Sequence, residues 1–240
     1  MIFGIVNVNP SEVVGKEKLF QLLPSRYAGK ATSAFVNQNV ALGASETGVA
    51  TIDGGTGLEM AANKNLAVCA SGNIFKHDLP TDKEQPHSTA RTILLGYRAS
   101  GEACFQRLNG QFAAAIWDAP AERLLLVADH LGFEPLYYYW DGKRLVFSSS
   151  FRGLVRFEGI PREFNFRAIR NYLLFNYNPG LDSLVKNVRR VRPGHYLVLE
   201  KGELKIQRYW FLSYRNQNGR QIEDYAQELV ELTRDAIRIR

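Results

Sequence analysis

Apolar runs broken by short turn signals dominate the middle of the chain. Leu108 to Trp117 and Arg123 to Ala128 are joined by Asp118-Ala119-Pro120, the pattern of two buried strands in a hairpin. Leu136 to Trp140 then meets Lys143 to Ser148 across Asp141-Gly142, a dipeptide that tolerates the positive φ angles of a tight turn. These runs together predict the middle of one antiparallel sheet. Upstream, Ile2 to Val6 reads as a buried strand, and Ser33 to Val36 with Val40 to Leu42 as a hairpin around Asn37-Gln38-Asn39. Val49 to Ile52 and Leu66 to Ala70 add two more strands, the second ending in a turn at Ser71-Gly72-Asn73.

Helical spacing takes over in five places. Ser88 is placed to cap a helix over 89–99, whose apolar face is Ile93, Leu94 and Tyr97. Short helices are expected over 102–108 and 151–155, and Asn165 caps another over 166–175 whose Ile169, Tyr172, Leu173 and Phe175 form a sticky side. A last hairpin pairs His195 to Glu200 with Leu204 to Tyr209 around Lys201-Gly202. The chain ends in a strongly helical segment, 221–240, with Tyr225, Leu229, Leu232, Ala236 and Ile239 on one face.

Composition sharpens this picture. With 240 residues, 45% of them hydrophobic, the chain can bury a large core and is no disordered tail. Cys69 and Cys104 sit in apolar surroundings without metal-ligand spacing, which predicts reduced core thiols, no metal site and a cytoplasmic protein. Residues 2–6 are too short for a signal segment, and no run reaches the roughly 20 apolar residues of a membrane helix. The net charge is +6, with its densest basic cluster from Lys186 through Arg189, Arg190 and Arg192. No basic helix or aromatic stacking motif accompanies that cluster, so a solvated or domain-facing rim is expected rather than nucleic-acid binding. Gly54 to Gly57 lacks the following Gly-Lys-Ser of a phosphate loop and reads as a turn. His77 reads as a solvated histidine, and Asp129 to Pro135, with its turn residues Gly132 and Pro135, as structural rather than catalytic.

The run Leu108-Asn109-Gly110-Gln111-Phe112, the block Asp129-His130-Leu131-Gly132-Phe133-Glu134-Pro135-Leu136-Tyr137-Tyr138, and the segments Asn176 to Gly180, Val191 to Tyr196 and Arg208-Tyr209-Trp210 carry a resemblance. They are similar to the N-terminal glutaminase domain of asparagine synthetases, the class II glutamine amidotransferases of the N-terminal-nucleophile fold. The resemblance covers most of the chain. It implies an α+β fold: a four-layer α/β/β/α sandwich built on two antiparallel sheets. It also implies an organisation in which residues 1–160 form the amidotransferase-like domain, 161–215 an α/β extension completing it, and 216–240 a linker and the first helix of a synthetase domain.

What the resemblance implies about the site is a series of departures. In the family, removal of Met exposes a cysteine whose thiolate attacks the glutamine amide with its own α-amino group as base. Matching Gly4-Ile5 to the family's glycine and isoleucine puts Phe3 in the nucleophile's slot, so no catalytic residue is expected. The arginine that pairs with the substrate carboxylate has Glu46 or a neighbour in its place, and no arginine occurs between Arg26 and Arg91. The Asn-Gly-Glu oxyanion turn reads Ser71-Gly72-Asn73, and the aspartate that binds the substrate ammonium is Thr89. Phe3, Glu46, Ser71, Gly72, Asn73 and Thr89 thus form an expected vestigial pocket. Ser11 and Cys69 are the substitute nucleophiles nearest to hand, and neither stands beside a histidine.

The favoured expectation is a non-catalytic amidotransferase-like domain that stabilises or regulates an asparagine-synthetase-like, ATP-dependent amide-forming domain. That domain would take free ammonia or another amine, as β-lactam-forming relatives are thought to do. It would lie in cis or on a partner chain and dock through the helix over 223–240, with a homodimer as the other arrangement. ATP and Mg are expected only for that synthetase domain, whose Ser-Gly-Gly-x-Asp-Ser loop is absent from residues 1–240. The alternatives are an active glutamine-hydrolysing domain with another nucleophile and a small-ligand-sensing module.

Overall fold

The computed structural model describes residues 1–25, 30, 32–46, 55–79, 88–214, 219 and 221–239. The strand expected over 49–52 and the loop over 81–87 lie outside the described residues. In chain order the elements are β1 (Ile2–Asn7), α1 (Lys16–Phe20), β2 (Thr32–Asn37), β3 (Val40–Ser45), β4 (Gly57–Met60), β5 (Leu66–His77) and α2 (Thr89–Ser100). A 3-10 helix (Gly101–Arg107) leads into β6 (Leu108–Asp118), β7 (Arg123–Ala128), β8 (Tyr137–Trp140), β9 (Arg144–Ser148), α3 (Phe151–Arg156) and α4 (Phe166–Phe175). The chain then runs through β10 (Val188–Arg190), β11 (His195–Glu200), β12 (Glu203–Arg208) and α5 (Ile222–Arg238).

Two six-stranded antiparallel sheets result, ordered β10-β8-β9-β1-β3-β2 and β12-β11-β7-β6-β5-β4. Alternation along each strand sends one set of side chains between the sheets and the other outward. Ile2, Val6, Leu42 and Phe147 from the first sheet meet Ala67, Ala115, Leu124 and Leu126 from the second in the central core. Outside the first sheet, Phe3 and Ile5 pack with Leu19 and Leu22 near α1 and with Leu154 of α3. Outside the second, Val68, Ile116 and Leu125 pack on Ile93 and Leu94 of α2. The α/β/β/α order of layers follows. Ser88 caps α2 by accepting the Arg91 N–H at 3.1 Å, and Asn165 caps α4 by accepting that of Ala168 at 3.3 Å. Residues of the 161–215 stretch add β10 to one sheet and β11-β12 to the other.

Three local readings are corrected. The four central strands are not one meander: β6 and β7 lie in the second sheet, whereas β8 and β9 lie in the first. Ser71-Gly72-Asn73 is not a turn but the interior of the 12-residue β5, paired with Gln111 to Ala113 of β6. Gly72 there has φ +95°, and a Cβ would overlap the Gln111 carbonyl, so the strand bends where only glycine fits. His77, at the end of β5, is half-buried rather than solvated.

The sheet change is made by residues 129–136 and is held by Asp129. Its fully buried carboxylate accepts five backbone N–H groups: from Leu131, Gly132 and Phe133 at 3.0, 2.6 and 3.2 Å on Oδ1, and from Phe112 and Glu134 at 3.2 and 3.1 Å on Oδ2. The neighbouring His130 ring stacks on Trp210 at 4.7 Å, and burial holds its pKa below the usual imidazole value. Asp129 and His130 of this block thus hold the crossover in place. Replacing the carboxylate orphans five backbone donors at once, those of Phe112 and Gly132 in fully buried hydrogen bonds. The Asp129→Ala variant is expected to lose at least about 3 kcal/mol of stability, read as a lower urea midpoint. A loss below about 1 kcal/mol would show that water replaces the carboxylate.

Candidate functional site

Residues matching the expected pocket gather where β5 bends beside the start of α2. The Thr89 hydroxyl, on the first turn of α2, donates to the Gly72 carbonyl at 2.7 Å and fixes that helix end against the bend. The same face of Gly72 is covered by Glu134, whose Cγ would lie 2.9 Å from a Cβ at position 72. Glu134 reaches it because the Asp129 clamp ends on the Glu134 N–H. Beyond Glu134 is the start of β1, where the Met1 ammonium donates to the Ser45 carbonyl at 2.9 Å and to the Thr56 hydroxyl at 3.1 Å.

The electrostatics of this corner are set by burial. Desolvation lowers the Met1 ammonium to a pKa of about 6, against the pull of Glu134 and Cys69. The Glu134 carboxyl is raised above the usual carboxylate range, chiefly by burial and further by the Asp129 charge; the Met1 ammonium opposes this. The Ser71 hydroxyl lies close enough to favour the Glu134 carboxylate, yet it completes no hydrogen bond of ordinary geometry. Ser45 Oγ and Asn73 Oδ1 are likewise buried without partners. The corner is therefore polar, under-satisfied and built around a carboxylate.

The structure joins Ser71, Gly72 and Thr89 in one place and puts the half-buried Asn73 next to them on β5. It does not bring Phe3 there. The Phe3 ring is fully buried on the helical side of the first sheet, where it occupies the space a Cβ on Gly43 would need. Glu46 is exposed just beyond β3. Glu134 is the pocket residue that the sequence reading missed. A carboxylate before Pro135, in a block otherwise made of turn residues, was the available signal.

Neither Cys69 nor Ser11 stands ready as a nucleophile at this corner. Cys69 is fully buried between the sheets, and its thiol is pushed up to about 12 by desolvation, so it stays protonated at neutral pH. Ser11 follows the opposite end of β1 from Met1 and is exposed. Among the described residues no group of three or more His, Cys, Asp or Glu side chains stands ready for a metal ion.

Glu134 also makes stability pH-dependent. A carboxyl whose folded pKa is raised holds its proton to higher pH in the folded state than in the unfolded one. Its favourable contribution is present below the ordinary carboxylate pKa and is lost as pH rises through the folded value. The Glu134→Gln variant is expected to melt at a higher temperature than the parent at pH 7, with the difference shrinking by pH 4. Equal differences at the two pH values would contradict this assignment.

A sequence model of the glutamine amidotransferase domain family matches residues 2–210. Among curated relatives, the chain is 29% identical over 121 residues to the putative glutamine-hydrolyzing asparagine synthetase 2 of Methanocaldococcus jannaschii, covering 50% of this chain and 24% of that protein. It is 24% identical over 188 residues to Amidase chyE of Penicillium rubens, covering 74% of this chain and 27% of that protein. The chain thus spans about a quarter of the length of these relatives. Among solved structures, the glutamine phosphoribosylpyrophosphate amidotransferase of B. subtilis superposes with a TM-score of 0.55 at 15% identity, over 90% of this chain and 50% of that one. That likeness concerns the fold, the N-terminal-nucleophile sandwich. No helix among the described residues is long and apolar enough to cross a membrane. With the family match running from the first strand through the last, this chain belongs to the glutamine amidotransferase domain family and is related to asparagine synthetases.

Proposed function

We propose that this domain no longer hydrolyses glutamine and serves as the folded companion of an ATP-dependent, amide-forming synthetase domain. The observation that carries the reading is Glu134. A half-buried carboxylate covers Gly72, where glutamine's own carboxylate and the developing oxyanion would both be repelled. Three further features support it. The Thr89 hydroxyl is engaged with the Gly72 carbonyl instead of offering a charge to an ammonium group. Ser71 is shorter than an asparagine and sends no amide N–H to an oxyanion. The one thiol near the pocket, Cys69, is held protonated by burial.

The companion role rests on what the domain leaves uncovered. Phe166, Leu173 and Leu174 of α4 are largely exposed, as are Leu229, Leu232 and Ile237 of α5, and α5 buries none of its own residues. Apolar faces of this kind suit a docking partner. The relatives named as asparagine synthetases are about four to five times as long as the matched region, which supports a synthetase domain in cis or on another chain. ATP and Mg would belong to that domain, and ammonia or another amine would be its nucleophile. Two buried free thiols fit a cytoplasmic setting. An active glutaminase using Cys69 or Ser11 is the second reading. It is disfavoured by the burial of the first and by the position of the second at the far end of β1.

Glutamate release from glutamine tests the reading. The parent is expected to release none above a heat-denatured control. A Phe3→Cys variant is expected to be equally silent, because position 3 is sealed on the helical side of the first sheet. Sustained release from the parent would overturn the proposal.

A further inference from the structure

The basic cluster from Lys186 to Arg192 divides in two when folded. Lys186 pairs with Glu163 at 3.1 Å, and Arg189 with Asp182 at 3.3 Å, a carboxylate it shares with Arg167, so the outer half has carboxylate partners at the edge of the first sheet. Arg190 and Arg192 instead line a cavity of about 430 Å3 between the edges of the two sheets, joined there by Arg208 and His195. That volume lies within the roughly 300–1,000 Å3 of small-molecule pockets. None of the cavity's lining residues is an Asp or Glu, and none of the three arginines has a carboxylate partner among the described residues. A larger cavity of about 540 Å3, beside Tyr97, contrasts with it. There Arg123 is already paired with Glu102 at 2.9 Å and Asp118 at 3.4 Å.

The cationic groups are also held in place. Arg190 donates through Nη2 to the Gly132 carbonyl, in the crossover fixed by Asp129. The Arg208 guanidinium lies over the Phe211 ring at 4.8 Å, and the His195 ring is pinned through Nδ1 to the Pro193 carbonyl at 2.7 Å. Leu197, Ile206 and the Tyr138 ring supply an apolar wall. Three guanidiniums around one cavity, Arg190 and Arg208 held by these contacts, repel each other, and an anion between them relieves that repulsion. Their planar forks match the oxygens of a phosphate.

We propose that this cavity binds a small phosphate-bearing molecule with an apolar or aromatic body, the phosphate held by Arg190, Arg192 and Arg208 and the body against Leu197 and Ile206. The site is separate from the Gly72 corner and does not depend on whether glutamine is hydrolysed. Titration calorimetry of the chain at low salt, with inorganic phosphate and phenyl phosphate as probes, tests it. Saturable binding of both is expected, tighter for phenyl phosphate because of the apolar wall. Arg192 and Arg208 are exposed, so Arg192→Gln and Arg208→Gln are expected to fold with the parent's melting temperature. Each should weaken phenyl phosphate binding roughly tenfold, the scale of one charge-assisted hydrogen bond. Arg167→Gln, which removes the same charge from the Asp182 pair outside the cavity, is expected to leave affinity unchanged. Absence of saturable binding to the parent, or equal weakening by Arg167→Gln, would overturn the proposal. So would binding of an acidic peptide that phenyl phosphate fails to displace.

Discussion

A single buried carboxylate accepting five backbone amides is the constraint on which this architecture rests. Two antiparallel sheets packed face to face must be joined somewhere by a chain that leaves one and enters the other, and that stretch has backbone donors no ladder can satisfy. At residues 129–136 the donors are gathered onto Asp129 instead. One of them, the Phe112 N–H, belongs to β6, so the clamp ties the crossover to the centre of the second sheet. The Asp129 carbonyl also accepts the Gly194 N–H at 2.9 Å, which brings in the approach to β11. Five backbone contacts to one buried carboxylate offset the cost of taking it out of bulk water, a cost an isolated carboxylate there would bear in full.

The same crossover positions both sites. Glu134 sits where it does because its N–H is the last of the five, and from there its side chain covers the bend at Gly72. Arg190 reaches back to Gly132 in the middle of the crossover and thereby faces the cavity between the sheet edges. A structural device conserving the sandwich has thus come to carry a carboxylate on one side and a guanidinium contact on the other. At the Gly72 corner the scaffold elements meet around the Glu134 carboxylate, the observation on which the proposed loss of glutamine hydrolysis rests. The glycine bend, the threonine brace on its carbonyl and the helix start remain. The surrounding polar atoms, Ser45, Ser71 and Asn73, are left short of partners.

Much of this was readable from residue order. Strands announced themselves as apolar runs, and Asp141-Gly142 and Lys201-Gly202 marked hairpins that the register confirms, with Gly142 at φ 87° and Gly202 at φ 76°. The caps at Ser88 and Asn165 act as their residue types suggest. The readings that failed depend on distance through space. Periodicity cannot say that β8 pairs into a different sheet from β7, because both pairs are local hairpins of the same pattern. Ser71-Gly72 looked like a turn because glycine ends many strands. Here it bends one without ending it, since the Gln111 carbonyl presses on it from β6. Glu134 and the arginine cavity were hidden for a like reason: their partners lie 62 residues back at position 72 and 18 residues on at position 208. Phe3 was assigned by its neighbours Gly4 and Ile5, whereas strand alternation sends its ring to the helical side.

The central claim is that this amidotransferase-family domain holds no nucleophile able to attack a glutamine-like substrate. Incubating the chain with a diazoketone analogue of glutamine, which alkylates an activated nucleophile in such pockets, and weighing the intact protein by mass spectrometry tests that claim most directly. The account predicts an unmodified mass under conditions that label an active glutaminase to completion. A stoichiometric adduct mapped to any residue between Met1 and Arg240 would contradict it and identify the nucleophile.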